Sequence, residues 1–203
     1  LSSRAKFLLA RIEGGETLVM HLGMSGRFSI TPPVNKAVEP AGGLVGEFVH
    51  ATGTDPAHDH VVFEMASGAV VTYNDPRRFG FMDLVPEAGL AHHKLFDGLG
   101  PEPLGNHFDA DYLAARAQGK SCDLKAFLLD QRVVAGLGNI YACEALFRAG
   151  LSPHRTAACL ALRSGRPTDR CRRLVPLIRD VLTEAIEAGG STLRDYAHTD
   201  GSL

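Results

Sequence analysis

The stretch from His60 to Asn74 reads His-Val-Val-Phe-Glu-Met-Ala-Ser-Gly-Ala-Val-Val-Thr-Tyr-Asn. Val61, Phe63 and Met65 alternate with Val62 and Glu64, which is the period of two that a half-buried strand requires. Ser67-Gly68 makes a tight connection and Ala69 to Asn74 returns, so the stretch is an antiparallel hairpin. Upstream, Lys6 to Ile12, the Gly14-Gly15 turn, Thr17 to Leu22 and, after Gly23, Arg27 to Ile30 read as strands of a meander. Downstream, Phe79 to Val85 adds one more strand. Between these groups, Thr31 to Pro56 is rich in Pro, Gly and Ala and reads as a long surface excursion.

Beyond residue 100 the hydrophobic period changes. Ser121 is placed to cap a helix through Leu124, Phe127 and Leu128, and Asn139 to cap another through Ile140, Cys143, Leu146 and Phe147, ended by Gly150 with Pro153 beyond. Leu174, Leu177, Val181, Ala185 and Ile186 keep helical spacing up to Gly189-Gly190, and Pro176 should kink that helix or mark its start. The turn-rich Gly100-Pro101-Glu102-Pro103 separates the two patterns. The chain is therefore read as α+β, with an antiparallel β-sandwich at 1–100 and a helical domain at 101–203.

The 203 residues are 45% hydrophobic, enough for real cores and too apolar for a disordered tail. No apolar run approaches the roughly 18 residues of a membrane span, and the N-terminus shows no secretory leader, so a cytoplasmic, membrane-free protein is expected. Cys122, Cys143, Cys159 and Cys171 lie at wide, unequal intervals without a C-x-x-C pair, which argues against a zinc site in this stretch. The net charge is −2, against a uniformly basic nucleic-acid binder. The sum hides a division: residues 1–100 carry 8 Lys/Arg against 11 Asp/Glu, while 101–203 carry 13 against 12, with Arg163, Arg166, Arg170, Arg172 and Arg173 close together.

Two turns carry unusual chemistry. Asp75-Pro-Arg-Arg-Phe-Gly80 joins two strands where Asn-Gly or another small polar turn is ordinary, and places Arg77 and Phe79 at its tip. An arginine can bond a base whose partner has left, and an aromatic ring can wedge between stacked bases. In Gly136-Leu-Gly-Asn139, the asparagine taken alone is a plain helix cap. Two glycines beside it let the backbone approach a ligand closely, which suits the clamping of a phosphate at a helix start.

His21-Leu-Gly-Met-Ser-Gly26, Asp75-Pro-Arg-Arg-Phe-Gly80, Leu99-Gly-Pro-Glu-Pro-Leu104 and Gly136-Leu-Gly-Asn-Ile-Tyr-Ala142, in this order and spacing, closely resemble the formamidopyrimidine-DNA glycosylase family. The resemblance runs from Arg4 to Leu203. It implies a β-sandwich facing a helical domain with a helix-two-turn-helix DNA-binding motif, DNA in the cleft between them, and a structural zinc finger in the full-length protein. The implied activity is that of a monomeric base-excision-repair glycosylase and abasic-site lyase. Its implied substrate is double-stranded DNA containing oxidised purines such as 8-oxoguanine and formamidopyrimidines. The sibling class that removes oxidised pyrimidines is set apart by lacking the first two of these segments.

The resemblance also implies roles. Lys6 would sit by the lesion's sugar and phosphate and assist proton transfer. His21, His58, Lys120 and Asn139 would contact DNA. Met24, Arg77 and Phe79 would fill the space left by a flipped nucleotide, with Arg77 on the orphaned base. Arg194 would begin the loop covering the extruded base. The family's nucleophile is the proline of an N-terminal Pro-Glu, whereas this sequence opens at Leu1 and stops before the four-cysteine finger. The 203 residues alone are accordingly expected to be inactive and free of cofactor. A non-catalytic DNA-binding module and a relic that keeps only the fold are the alternative readings.

Overall fold

The hairpin around Ser67-Gly68 forms as its alternation requires, joining β5 (Asp59–Glu64) to β6 (Val70–Asn74) with Gly68 at φ 82°. The computed structural model describes residues 1–33 and 55–188. Most of the expected excursion between Thr31 and Pro56, and all of the segment around Arg194, lie outside the described residues. The chain divides into two units, Leu1–His93 and Lys94–Leu203.

In the first unit, β1 (Ser2–Arg4), β2 (Phe7–Ile12), β3 (Glu16–His21) and β7 (Phe81–Pro86) form one antiparallel sheet in the order β1-β2-β3-β7. The other sheet is β4 (Arg27–Thr31), β6 and β5, in the order β4-β6-β5. The meander expected for the first strands stops at β3. After His21 the chain turns away to begin β4 in the second sheet, and β7 takes the place beside β3. Among the described residues of this unit, the buried apolar side chains are Val19, Met20 and Val85 from the first sheet and Tyr73 from the second. Phe28 packs against Tyr73 and Phe63 at ring-centroid distances of 5.3 and 6.5 Å.

The short β1 was not read from the sequence, and it changes the setting of Lys6. Arg4 pairs with Phe7, so Ala5 and Lys6 are the corner of a two-residue hairpin and Lys6 does not open a strand. Ala5 has φ 52°, a region that hairpin corners normally give to glycine.

Among the described residues of the second unit the α-helices are α1 (Ala110–Ala117), α2 (Leu124–Leu129), α3 (Asn139–Arg148) and α4 (Asp169–Glu187). They enclose a core of Phe108, Leu113, Leu124, Leu128, Leu146, Leu174 and Ile178, each at most 1% exposed. Residues 94–100, read with the sheets from sequence, belong to this unit. The Gly100 N–H donates to the Gln131 carbonyl and the Ala135 N–H to that of Pro101. A Cβ on Gly100 would stand 2.6 Å from the Val133 carbonyl oxygen, so the approach needs glycine.

Three helix starts differ from expectation. Ser121 does not cap α2; the Leu124 and Lys125 N–H groups donate to the Arg155 and Pro153 carbonyls, which do the work of a cap from elsewhere in the chain. Asn139 is the first residue of α3, and Gly138 occupies the cap position. Pro176 lies inside α4, whose start is capped eight residues earlier by Thr168, its hydroxyl accepting from the Cys171 N–H at 3.4 Å. Burial of Cys171, Leu174, Val175, Ile178 and Val181 along one face holds α4 together past the proline. Arg179 also ties α4 down by donating to the Gly105 and Phe108 carbonyls at 3.0 and 2.6 Å.

The strained corner yields a prediction. Ala5→Gly should raise stability by up to about 1 kcal/mol, because glycine adopts positive φ without the Cβ clash and this outweighs its extra freedom when unfolded. Thermal or urea unfolding measures it. A drop in stability would mean that Ala5 carries no strain.

Candidate nucleic-acid interface

In the first unit, register brings the chemistry to one end. Phe7, His21 and Phe81 are direct cross-strand neighbours at the ends of β2, β3 and β7. The His21 ring stacks on Phe81 at 5.7 Å with 14° between planes and tilts against Phe7 at 5.3 Å. Lys6 precedes Phe7, the turn 22–26 follows His21, and the turn 75–80 precedes Phe81. His58 closes a short 3₁₀ helix, Pro56–His58, at the same end of the second sheet, where its carbonyl accepts from the Asp75 N–H at 3.0 Å. The structure therefore gathers Lys6, His21, Met24, His58, Arg77 and Phe79 at one end of this unit.

The two turns are locked together by a residue the sequence reading passed over. Asp75 is 1% exposed, and its Oδ1 accepts from the Ser25 hydroxyl at 2.6 Å and the Arg77 N–H at 3.3 Å. Its Oδ2 accepts from the Gly80 N–H at 2.8 Å and the Tyr73 hydroxyl at 3.2 Å. The Ser25 hydroxyl in addition accepts from the Arg77 N–H at 3.3 Å, and the His60 ring Nε2 bonds the Asp75 carbonyl at 2.9 Å. Burial alone would raise the Asp75 pKa, but the hydrogen bonds from Ser25, Gly80, Tyr73 and Arg77 outweigh it and hold the pKa down at about 2. Burial and the neighbouring carboxylate push Tyr73 up to about 12.

The turns also touch directly. Gly23 has φ +64°, and a Cβ there would stand 2.6 Å from the Gly80 nitrogen and from the Phe79 carbonyl carbon. A Cβ on Gly80 would overlap the Tyr73 hydroxyl. The glycines of both motifs are thus space requirements of one joint. What the joint presents outward is apolar and cationic: Met24 is 71% exposed, Phe79 57%, and the Arg77 guanidinium carbon lies 4.8 Å from the Phe79 ring centre.

The residues beside the joint are tuned as well. Lys6 is exposed, yet partial desolvation of its amine lowers its pKa from the usual lysine value. The His21 pKa is lowered by burial and then by the charge of Lys6. Its Nδ1 accepts the Gly23 N–H at 3.0 Å, which assigns the ring proton to Nε2 and sets a neutral donor at the head of the turn. His58 Nε2 lies 3.9 Å from Asp55 Oδ2 in an exposed pair that contributes little.

In the second unit, the loop before α3 is held by Gln131. Its Nε2 donates to the Leu129 and Leu137 carbonyls at 2.9 and 3.0 Å, and its Oε1 accepts the Gly136 N–H at 2.8 Å. Leu137 is buried, while Asn139 is exposed at the helix start, which no side chain caps. The Lys120 backbone lies in the turn after α1, where its carbonyl accepts from the Ala158 N–H at 3.2 Å. Lys120 thus stands on a turn and Asn139 at a helix start, on separate segments of the chain. The cluster Arg166, Arg170, Arg172 and Arg173 lines an open concavity of about 680 Å³ at the start of α4. Among the described residues, no group of three His, Cys, Asp or Glu could hold a metal ion, and burial pushes the Cys171 thiol up to about 12. No helix among them is long and apolar enough to cross a membrane.

His21 gives a pH test. Its folded pKa lies below the unfolded value of about 6.5, so the unfolded chain binds the proton more readily. The stability it contributes is present above about pH 6.5 and is lost as pH falls toward the lowered folded value. His21→Gln should flatten the fall in Tm between about pH 7.5 and pH 5 relative to the parent. Equal slopes for the two proteins would refute a neutral, Gly23-bonded His21.

Two family models match the chain: the formamidopyrimidine-DNA glycosylase N-terminal domain over residues 1–82 and the formamidopyrimidine-DNA glycosylase H2TH domain over residues 99–197. The formamidopyrimidine-DNA glycosylase of Rhodopseudomonas palustris (strain BisA53) is 57% identical over 203 residues, 100% of this chain and 67% of the relative. The solved MutM (Fpg) protein from Thermus thermophilus is similar with a TM-score of 0.72 and 39% identity, over 98% of this chain and 65% of that one. A MutM in complex with carbocyclic 8-oxo-G containing DNA gives 0.73 at 27% identity, over 95% of this chain and 64% of that one. The chain thus spans slightly less than two thirds of the length of these solved structures. With both domain models matched in order and more than half of the residues shared with the Rhodopseudomonas protein, the chain belongs to the formamidopyrimidine-DNA glycosylase family.

Proposed function

We propose that the chain supplies the lesion-recognising surface of a glycosylase and abasic-site lyase that removes oxidised purines, 8-oxoguanine and formamidopyrimidines, from duplex DNA. The observation that carries this reading is the exposed Met24, Arg77 and Phe79 group, held on two interlocked turns beside Lys6 and His21. A protein gains nothing in stability by exposing a methionine and a phenylalanine on a rigid joint. Such side chains suit insertion into a base stack from which a nucleotide has been withdrawn.

In this reading Phe79 and Met24 replace the stacking lost on flipping, and the Arg77 guanidinium donates to the edge of the orphaned base. The neutral His21 Nε2–H donates to a backbone phosphate without needing a charge. Lys6, with its pKa already lowered, assists proton transfer at the lesion's sugar and phosphate during strand cleavage. In the full-length protein an amine would attack C1′ as the bond from C1′ to the damaged base breaks and the base leaves with a proton, and the resulting Schiff base would drive elimination of the flanking phosphates. Asn139 and the start of α3 hold a second phosphate, aided by the helix dipole, and Lys120 adds a charge contact. The protein acts as a monomer on DNA in the bacterial cytoplasm.

In the full-length gene product, Arg77→Ala should weaken binding to lesion duplex by about 1 to 3 kcal/mol, the worth of a good base-edge contact, and affect undamaged duplex much less. Asn139→Ala should weaken both to similar degrees, because phosphate contacts position without reading damage. Titrations of both duplexes at one fixed salt concentration make the comparison. Equal losses on both duplexes for Arg77→Ala would reduce it to a phosphate contact and remove the wedge reading.

A further inference from the structure

We infer that the Asp75 carboxylate, with Ser25 as its strut, is the positioning residue of the wedge: it presets Met24, Arg77 and Phe79 as one rigid unit before DNA arrives. The inference rests on the wedge reading above and adds to it a cause for the wedge's geometry. Met24 is on one turn and Arg77 and Phe79 are on another, far apart in the chain. Nothing local to either turn sets the distance between them. The connections across the gap are the Ser25 hydroxyl to Asp75 Oδ1 at 2.6 Å, the Arg77 N–H to Ser25 Oγ at 3.3 Å, and the glycine contact of Gly23 with Phe79 and Gly80.

The joint is rigid for a chemical reason. A carboxylate at 1% exposure has lost its water, and leaving any of its acceptor positions open is costly. All its donors are on these two turns or on Tyr73, which leads into the second turn from β6. Moving either turn by an ångström would break a charge-assisted bond, so the pair moves together or not at all. Arg77 is held at its own backbone nitrogen by both Asp75 and Ser25, which leaves the guanidinium free to face outward over Phe79. Preorganisation of this kind lowers the cost of ordering side chains when a flipped state forms, and leaves binding to intact duplex nearly untouched.

The test is a double-mutant cycle in the full-length gene product, read as the ratio of lesion-duplex to undamaged-duplex affinity. Asp75→Asn and Ser25→Ala should each lower that ratio by about fivefold or more, Ser25→Thr should restore it, and adding Arg77→Ala to either should lower it by less than about twofold further, because the arginine is already misplaced. Ser25→Ala removes one hydroxyl from a half-buried position, so it decides the matter should Asp75→Asn not fold. If Arg77→Ala alone changes the ratio while Asp75→Asn and Ser25→Ala do not, or if the losses simply multiply, the positioning role is overturned and the wedge stands. If Arg77→Ala leaves the ratio unchanged, the wedge reading falls and this inference falls with it.

Discussion

A carboxylate stripped of water has to be met by donors on nearly every lone pair, and at Asp75 that demand organises the candidate site. Its partners, Ser25, Tyr73, Arg77 and Gly80, come from three pieces of chain, and satisfying them brings the two motif-bearing turns into contact. The glycines at 23 and 80 follow from the same demand, since any side chain there would hold the turns apart. Even the neutrality of His21 belongs to this geometry. Its ring accepts from Gly23, the residue that must lie flat against Phe79 and Gly80.

A neutral version of the same device stands in the helical unit. Gln131 has both a donor and an acceptor end, and it uses them to tie the Leu129 carbonyl at the end of α2 to the Leu137 carbonyl and the Gly136 N–H of the loop that leads to Asn139. In both places a polar side chain stiffens a loop whose tip must stay in solvent. This is how an exposed segment can be precise without having a core of its own. Among the described residues the apolar core is unevenly shared: a dense cluster under the helices, against few fully buried apolar side chains in the sheets. Polar locking matters more where burial is sparse.

Among the described residues, most strands and three of the four α-helices were legible because period and turn chemistry are local signals. The hairpin at Ser67-Gly68 and the helix ended by Gly150 needed nothing beyond their own residues. What was misread was long-range. Ser121 has the right chemistry for a cap, but the carbonyls of Pro153 and Arg155 reach the α2 start first. The helix α1 and the three-residue β1 were missed because one is short and small-residue-rich and the other makes sense only when paired with β2. Asp75 and Ser25 were read as parts of motifs, and Gln131 not at all, because a strut shows itself only through what it touches.

Local signals in the chain suffice for the two-part α+β order, the turns that carry Met24, Arg77 and Phe79, the loop that leads to Asn139, and the family these motifs mark. Those features depend on residue type and on spacings of a few positions, which the chain carries openly. It takes the folded chain to show that β4 leaves the first sheet, that Lys6 stands at a strained hairpin corner, and that the two turns are one object joined through a buried carboxylate. The physical reason is that Ser25 and Asp75 lie 50 residues apart, so no periodicity can register their contact. Their 2.6 Å bond exists because two sheets place the ends of β3 and β6 side by side and leave a charge between them that must be satisfied.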